Sequence, residues 1–172
     1  MEGSDVLLAI CEVSIAFAGF TSIVGVLGQR GGGHWDAEDT FRLWLMIESS
    51  LATLFFSLLP FSLHYFALVD TTVWGVSSGP MATFMLVHMI VVSPKVRALD
   101  RSGSWSTRRF EPLIGGFIIA TLLVQSLNVL DLGFHRSFGA YLLGLILFLG
   151  LASMHFVALL VAVHSSNLRD RD

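Results

Sequence analysis

Charged residues are scarce in this sequence. Only 13% of its 172 residues are Asp, Glu, Lys or Arg, about half the share that soluble domains carry. A soluble fold of this length could not bury a chain that is 54% hydrophobic, with a mean hydropathy of +0.75. The lipid bilayer is the partner that this composition predicts, because its interior is itself apolar. A net charge of −3 gives no indication of nucleic-acid binding, so no nucleic-acid partner is expected.

Cysteine is also scarce, since Cys11 is the only one in the chain. One cysteine excludes an internal disulfide framework and any metal site built from several thiolates. The residues before the first apolar run, 1–5, are acidic, whereas a signal peptide begins with a basic segment. The first apolar run is therefore predicted to be a membrane helix and not a typical signal peptide.

Five long apolar runs dominate the sequence. They cover residues 6–27, 43–63, 72–92, 112–130 and 138–163. Each has about the 20 residues that an α-helix needs to cross roughly 30 Å of hydrocarbon, and the longest link between them, residues 93–111, has no apolar periodicity. We therefore predict an all-α, polytopic membrane helix bundle with five transmembrane helices, forming one domain over residues 1–172.

Lysine and arginine are distributed unevenly between the two sides of this predicted bundle. With five helices, the first loop, the third loop and the C-terminus share one side. That side carries Arg30, Arg42, Lys95, Arg97, Arg101, Arg108, Arg109, Arg169 and Arg171, and the other carries only Arg136. Because cytoplasmic loops are rich in Lys and Arg, we predict the N-terminus outside and the C-terminus in the cytoplasm. Short loops without a soluble domain are similar to those of small bacterial membrane proteins, so the expected location is a bacterial inner (plasma) membrane.

Three ionisable residues are predicted in the cytoplasmic half of the bundle. At about 1.5 Å per residue, Glu48, His88 and His155 lie roughly 8, 6 and 12 Å from the inner ends of their helices. Ionisable side chains are costly in lipid and mark candidate functional sites, and a carboxylate beside histidines would form a proton- or cation-responsive site. The alternative is that these residues hydrogen-bond between helices and hold the bundle together. If the chain binds a metal ion, the same three residues are the candidate ligands.

A second polar group is predicted in the outer half. Glu12 lies roughly 9 Å below the outer end of the first helix, and Asn128 lies near the outer end of the fourth, with Asp131 at the rim. Amide side chains commonly bond transmembrane helices to one another. Interhelical packing is therefore the alternative to a functional role for this outer polar group.

Polar side chains also follow one face of the second helix, at spacings of three and four residues. The predicted lining of a hydrated path consists of Ser49, Thr53, Ser57, His64 and, on the fourth helix, Gln125. Such a path would suit an assembly of several copies. The alternative is an ordinary protein-facing surface, because Ser and Thr hydroxyls can bond to the backbone of their own helix.

Two further patterns bear on helix shape and on catalysis. Pro60 and Pro80 fall inside the second and third apolar runs, where the loss of a backbone donor predicts a kink. Residues 75–79 match the pattern G-x-S-x-G, but a catalytic serine in that pattern requires a strand–turn–helix context. We therefore predict no catalytic residue and expect no enzyme activity, and no cofactor is predicted.

Three hypotheses for the function follow from these patterns. The first is a small channel or transport protein, working as a homo-oligomer, with possible ions as its cargo and Glu48, His88 and His155 as its responsive site. The second is a non-catalytic accessory or assembly subunit of a larger membrane complex. The third is a membrane-embedded metal or redox protein.

Overall fold

The computed structural model describes residues 3–30, 37–66, 68–101 and 111–169. These residues form five α-helices and no strand: α1 (Ser4–Arg30), α2 (Ala37–His64), α3 (Asp70–Arg101), α4 (Glu111–Val129) and α5 (Phe138–Arg169). The predicted all-α architecture with five helices is confirmed. Each helix is long and apolar enough to cross a membrane, which is compatible with the predicted integral membrane location. Arg108, Arg109 and Arg171, which entered the count of basic residues, lie outside the described residues.

Helix α3 differs most from its predicted bounds. The apolar run ends at Val92, but the helix continues to Arg101, so about half of the predicted link at 93–111 is helical. An apolar run marks the length that matches hydrocarbon, whereas a helix ends where its backbone hydrogen bonds stop. α2 contains Pro60, and α3 contains Pro80 as well as Pro94, so none of these prolines ends its helix.

The link between α4 and α5 is tight because several of its residues adopt left-handed backbone conformations. Asp131, His135 and Arg136 have φ values of 60°, 51° and 48°, and Gly133 has a φ of 80°. Only glycine adopts this region without steric cost, so the three other residues are held there by the short connection. The Oγ atom of Ser137 then accepts a hydrogen bond from the Ala140 amide at 3.3 Å and caps the start of α5.

Helix α5 occupies the centre of the bundle. It packs extensively against α2 and α4 and also contacts α1 and α3, while α1 packs against α2 and α3 packs against α4. Phe56, Phe84 and Phe148, from α2, α3 and α5, form a triangle of rings with centroids 5.8 to 5.9 Å apart. The Tyr141 hydroxyl donates a 2.6 Å hydrogen bond to the carbonyl of Phe56. These contacts join α2, α3 and α5 in one core.

Contacts between helix ends show that successive helices run in opposite directions. At one end, called the N-terminal end here, Phe138 at the start of α5 packs on Trp74 at the start of α3, with ring centroids 5.0 Å apart. At the other end, called the C-terminal end, Arg42 near the start of α2 bonds to the carbonyl of Ala158 in α5. Large apolar side chains such as Ile23, Phe55 and Ile90 are exposed on the outside of the bundle, as expected for a surface that faces lipid.

Candidate functional site

The structure brings Glu48 of α2 and His88 of α3 into direct contact. The Nδ1 atom of His88 lies 3.2 Å from Oε1 of Glu48, so an Nδ1–H group donates to the carboxylate. His88 is buried and Glu48 is partly exposed, with 21% of its side chain accessible. The ring of Phe84, one turn earlier on α3, stacks beside His88 with centroids 6.3 Å apart. The pair therefore crosses the α2–α3 interface in a mainly apolar setting.

His155, the third member of the predicted inner group, is buried on α5. It lines the same cavity of about 260 Å³ as His88, toward the C-terminal end, and this cavity also contains Arg97 and Glu111. Within the described residues, Nε2 of His155 and Oε1 of Glu111 are buried without a hydrogen-bond partner. His155 and His88 therefore line one partly polar cavity, which Glu48 does not line.

A much larger groove runs along the surface between α2 and α3. Its volume is about 1010 Å³, and its wall consists mainly of aromatic and aliphatic side chains. They are Trp44, Ile47, Leu51, Ala52, Phe55, Phe56, Pro80 and Phe84, together with Gly79, Thr83 and Glu48. Glu48 is the charged residue in this wall, and its Oε2 atom is buried without a hydrogen-bond partner in the part of the chain that the structure describes. Because Glu48 lines the groove and His88 lines the cavity, their contact separates the two spaces.

A buried ion pair near the C-terminal end was not predicted as part of any site. Arg42 is only 1% exposed, forms an ion pair with Glu38, and donates from Nη1 to the carbonyl of Ala158 at 3.0 Å. In the sequence, Arg42 is only one of nine basic residues on the predicted cytoplasmic side. The signal that could have identified the pair is the acid–base spacing of four residues, which places both side chains on one helix face.

The residues predicted to line a hydrated path occupy two different environments. The hydroxyls of Ser49, Thr53 and Ser57 are buried, and each donates to the carbonyl four residues earlier on α2, at 2.6 to 2.8 Å. Gln125 is also buried and donates from Nε2 to the carbonyl of Ala140 at 2.8 Å. His64 is instead on the surface, with its Nδ1 atom 3.7 Å from Oδ1 of Asp70. The hydrated path stays a prediction.

The three residues of the outer polar group, Glu12, Asn128 and Asp131, also lie in different environments. Asn128 is fully buried: its Nδ2 donates to Oγ of Ser78 at 2.9 Å, and its Oδ1 accepts from the Ser137 amide at 3.0 Å. It therefore joins α4 to α3 and to the start of α5. Glu12 lies on the exposed face of α1, and Asp131 is exposed on the α4–α5 link.

The search for metal ligands among the described residues and the comparison with known proteins give no indication of the function. Among the described residues, no three His, Cys, Asp or Glu side chains are grouped as a metal site would require. Comparison with protein-family models, with curated proteins and with solved structures finds no match to this chain. The contacts around Glu48 and His88 are therefore the basis for a functional inference.

Proposed function

We propose that this protein is a small integral membrane channel or transport protein, working as a homo-oligomer, in which Glu48, His88 and His155 form a proton- or cation-responsive site. The observation that supports it is the contact between Glu48 and His88, because this pair stands between the surface groove and the inner cavity. Ionisable groups at membrane depth are costly and mark ion or proton pathways by default.

The chemistry of the pair suits proton binding. A histidine ring nitrogen and a carboxylate both bind protons, and here they lie within hydrogen-bond distance of each other. A proton held between Oε1 of Glu48 and Nδ1 of His88 has the cavity with His155 and Glu111 on one side. On the other side it has the groove, which Glu48 lines. Protonation of the pair changes the charge between these two spaces.

The orientation belongs to the same proposal: the N-terminus lies outside and the C-terminus lies in the cytoplasm of a bacterial inner membrane. Support comes from the described basic residues, since Lys95, Arg97 and Arg101 follow one another at the C-terminal end of α3. Arg136 lies at the opposite end, beside Gly75. An excess of Lys and Arg marks the cytoplasmic side, so the cavity with His88 and His155 faces the cytoplasm.

The homo-oligomeric state is supported by the outer surfaces of α1 and α4. A Cβ atom added at the exposed glycines Gly19 or Gly116 would meet no described atom within 4 Å. Small residues on an open face allow helices of neighbouring chains to approach closely in a membrane. A bundle of five helices is also small for a pore, so several copies would be needed to enclose one.

Ion flux in liposomes that contain only this protein tests the proposal. We expect flux of protons or monovalent cations that changes with pH, because protonation changes the charge of the Glu48–His88 pair. His88 contacts Glu48 directly, and the ionisable groups that share a cavity with His88 are Arg97, Glu111 and His155. Glu48→Gln removes the charge and keeps the shape, so it should abolish the pH dependence.

Asp5→Asn is the matched control for Glu48→Gln. Asp5 is an exposed carboxylate in the first turn of α1 and lies outside the groove, so this variant should retain wild-type flux. Absence of flux for protons and for several cations at every pH would exclude the channel or transport function. Absence of flux together with a membrane protein that co-purifies in mild detergent would instead support the second candidate, an accessory or assembly subunit. A metal or chromophore in the purified protein would support the third, a metal or redox protein.

A further inference from the structure

We infer that the groove between α2 and α3 binds a hydrophobic organic cation, whose apolar body lies on the aromatic wall and whose charge is attracted to the carboxylate of Glu48. The inference rests on the proposed function, since it names a substrate class for the same carboxylate. It goes beyond a response to protons or small cations, because the groove is far larger than such an ion requires.

The size of the groove fits an organic ligand. Its volume of about 1010 Å³ lies at the upper end of the roughly 300–1,000 Å³ range of small-molecule sites. Phe55 and Trp44 line it and are themselves partly exposed on the outside of the bundle. A ligand dissolved in the apolar part of a bilayer could therefore enter from the side, between the two helices, without crossing the core.

The charge of Glu48 selects the class of ligand. Its Oε1 atom is engaged by His88, whereas Oε2 is buried with no hydrogen-bond partner among the described residues. A carboxylate oxygen in an apolar setting is costly unless a cation or a donor meets it. A lipid acyl chain would fill the groove but leave this oxygen unpaired, and an anionic amphiphile would be repelled by it. An organic cation satisfies both the apolar wall and the carboxylate.

The aromatic rings add a second reason for a cation. Phe56 and Phe84 meet edge to face in the wall, with ring centroids 5.8 Å apart. Trp44 lies one turn before Glu48 and already has the ammonium of Lys95 5.1 Å from its ring centroid. Cations bind to the faces of such rings. A delocalised or alkylated ammonium or phosphonium ion is therefore stabilised by the wall as well as by Glu48.

Paired binding titrations test the inference with two probes of the same shape and opposite charge. The purified protein in detergent is titrated calorimetrically with tetraphenylphosphonium, a hydrophobic cation, and with tetraphenylborate, its anionic counterpart. We expect saturable binding of the cation and no saturable binding of the anion. Glu48→Gln should weaken cation binding at least about tenfold, the scale of losing one desolvated charge partner. Asp5→Asn, a charge removal outside the groove, should bind as the wild type does.

A second pair of variants tests the place of binding without touching Glu48. Thr83 lines the groove and is exposed, so Thr83→Trp would fill the groove from its outer edge. Val87→Trp adds the same bulk at an exposed position of α3 that does not line the groove. We expect Thr83→Trp to abolish cation binding and Val87→Trp to retain it. Wild-type affinity in both Thr83→Trp and Glu48→Gln would overturn the inference.

Measurements of flux and of binding together distinguish failure of this inference from failure of the proposed function. If Glu48-dependent proton flux is present but tetraphenylphosphonium does not bind, the inference fails and the proposed function stands. The same result is expected if a lipid or a helix of a second copy fills the groove. If the cation binds at Glu48 but no ion moves, the ligand class stands and the transport function fails. Equal binding of the cation and the anion would also overturn the inference, because it would show only apolar partitioning.

Discussion

At the scale of single residues, Arg42 illustrates how a charge can be accommodated inside an apolar bundle. Its guanidinium pairs with Glu38 on the same helix and bonds to the carbonyl of Ala158 on α5. A buried charge is tolerated only when its partners replace the water it has lost. Arg42 therefore joins α2 to α5 through a set of polar contacts that depends on both charges being present.

Removing only the positive charge of this pair should destabilise the fold. Arg42→Met keeps most of the apolar stem but breaks the buried Arg42–Glu38 ion pair, and removing one partner of a buried pair costs about 3–5 kcal/mol. Thermal unfolding in detergent, followed by circular dichroism, should show a clear fall in the midpoint. Arg97→Met, at an exposed arginine of α3, should have little effect. If Arg42→Met combined with Glu38→Gln is no more stable than Arg42→Met alone, the loss does not come from breaking the Arg42–Glu38 charge pair.

Individual contacts could be predicted only in part from the sequence. Depth along each helix placed Glu48 and His88 at similar levels, and the structure does bring them together. Depth says nothing about rotation, however, and each residue of an α-helix turns the side chain by about 100°. Glu12 and Asn128 were grouped by depth as well, yet Glu12 is exposed on α1 while Asn128 is buried against α3 and α5.

At the scale of helices, the glycines of α5 differ in what surrounds them. A Cβ atom at Gly144 would lie 2.8 Å from Sδ of Met81 and would collide with the side-chain amide of Gln125. Gly139, on the same helix, has no described atom within 4 Å of such a Cβ. Of these two glycines, only Gly144 is required for the close approach of α3 and α4 to α5.

Gly144→Ala should therefore destabilise the bundle, and Gly139→Ala should not. Overpacking a close contact costs about 1–3 kcal/mol, which exceeds the gain of up to about 1 kcal/mol that alanine brings to a helix. Unfolding midpoints of the two variants in the same detergent measure the difference. Equal midpoints would show that Gln125 and Met81 can move aside, and that the contact with Gly144 does not hold α3 and α4 against α5.

Helix ends and helix number differ in how well an apolar pattern predicts them. The number follows from runs long enough to cross hydrocarbon, and all five were found. The ends follow from backbone hydrogen bonds that continue past the apolar segment, as in α3, which extends nine residues beyond Val92 to Arg101. Pro94 lies within that extension, so even a residue that lacks a backbone donor does not mark the end of this helix.

At the scale of the whole molecule, the central position of α5 could not be read from the sequence. In a soluble bundle the apolar face of each helix points to the core, but a helix in lipid is apolar on all sides. The sequence therefore indicates the number of helices, but it gives little information about which helices pack against each other. The polar contacts supply that information in the structure: Arg42 with Ala158, Glu48 with His88, and Asn128 with Ser78 each join two different helices.

The orientation across the membrane is the property of the whole molecule that is simplest to test. In a Cys11→Ser background, Leu132→Cys places a thiol on the exposed α4–α5 link, and Arg101→Cys places one at the exposed end of α3. Because the basic residues favour a cytoplasmic position for the end of α3, a membrane-impermeant maleimide should label only Leu132→Cys on intact cells. Arg101→Cys should react after the membrane is permeabilised. The opposite pattern would reverse the orientation and place the cavity with His88 and His155 outside, and labelling of both thiols on intact cells would contradict the spanning arrangement itself.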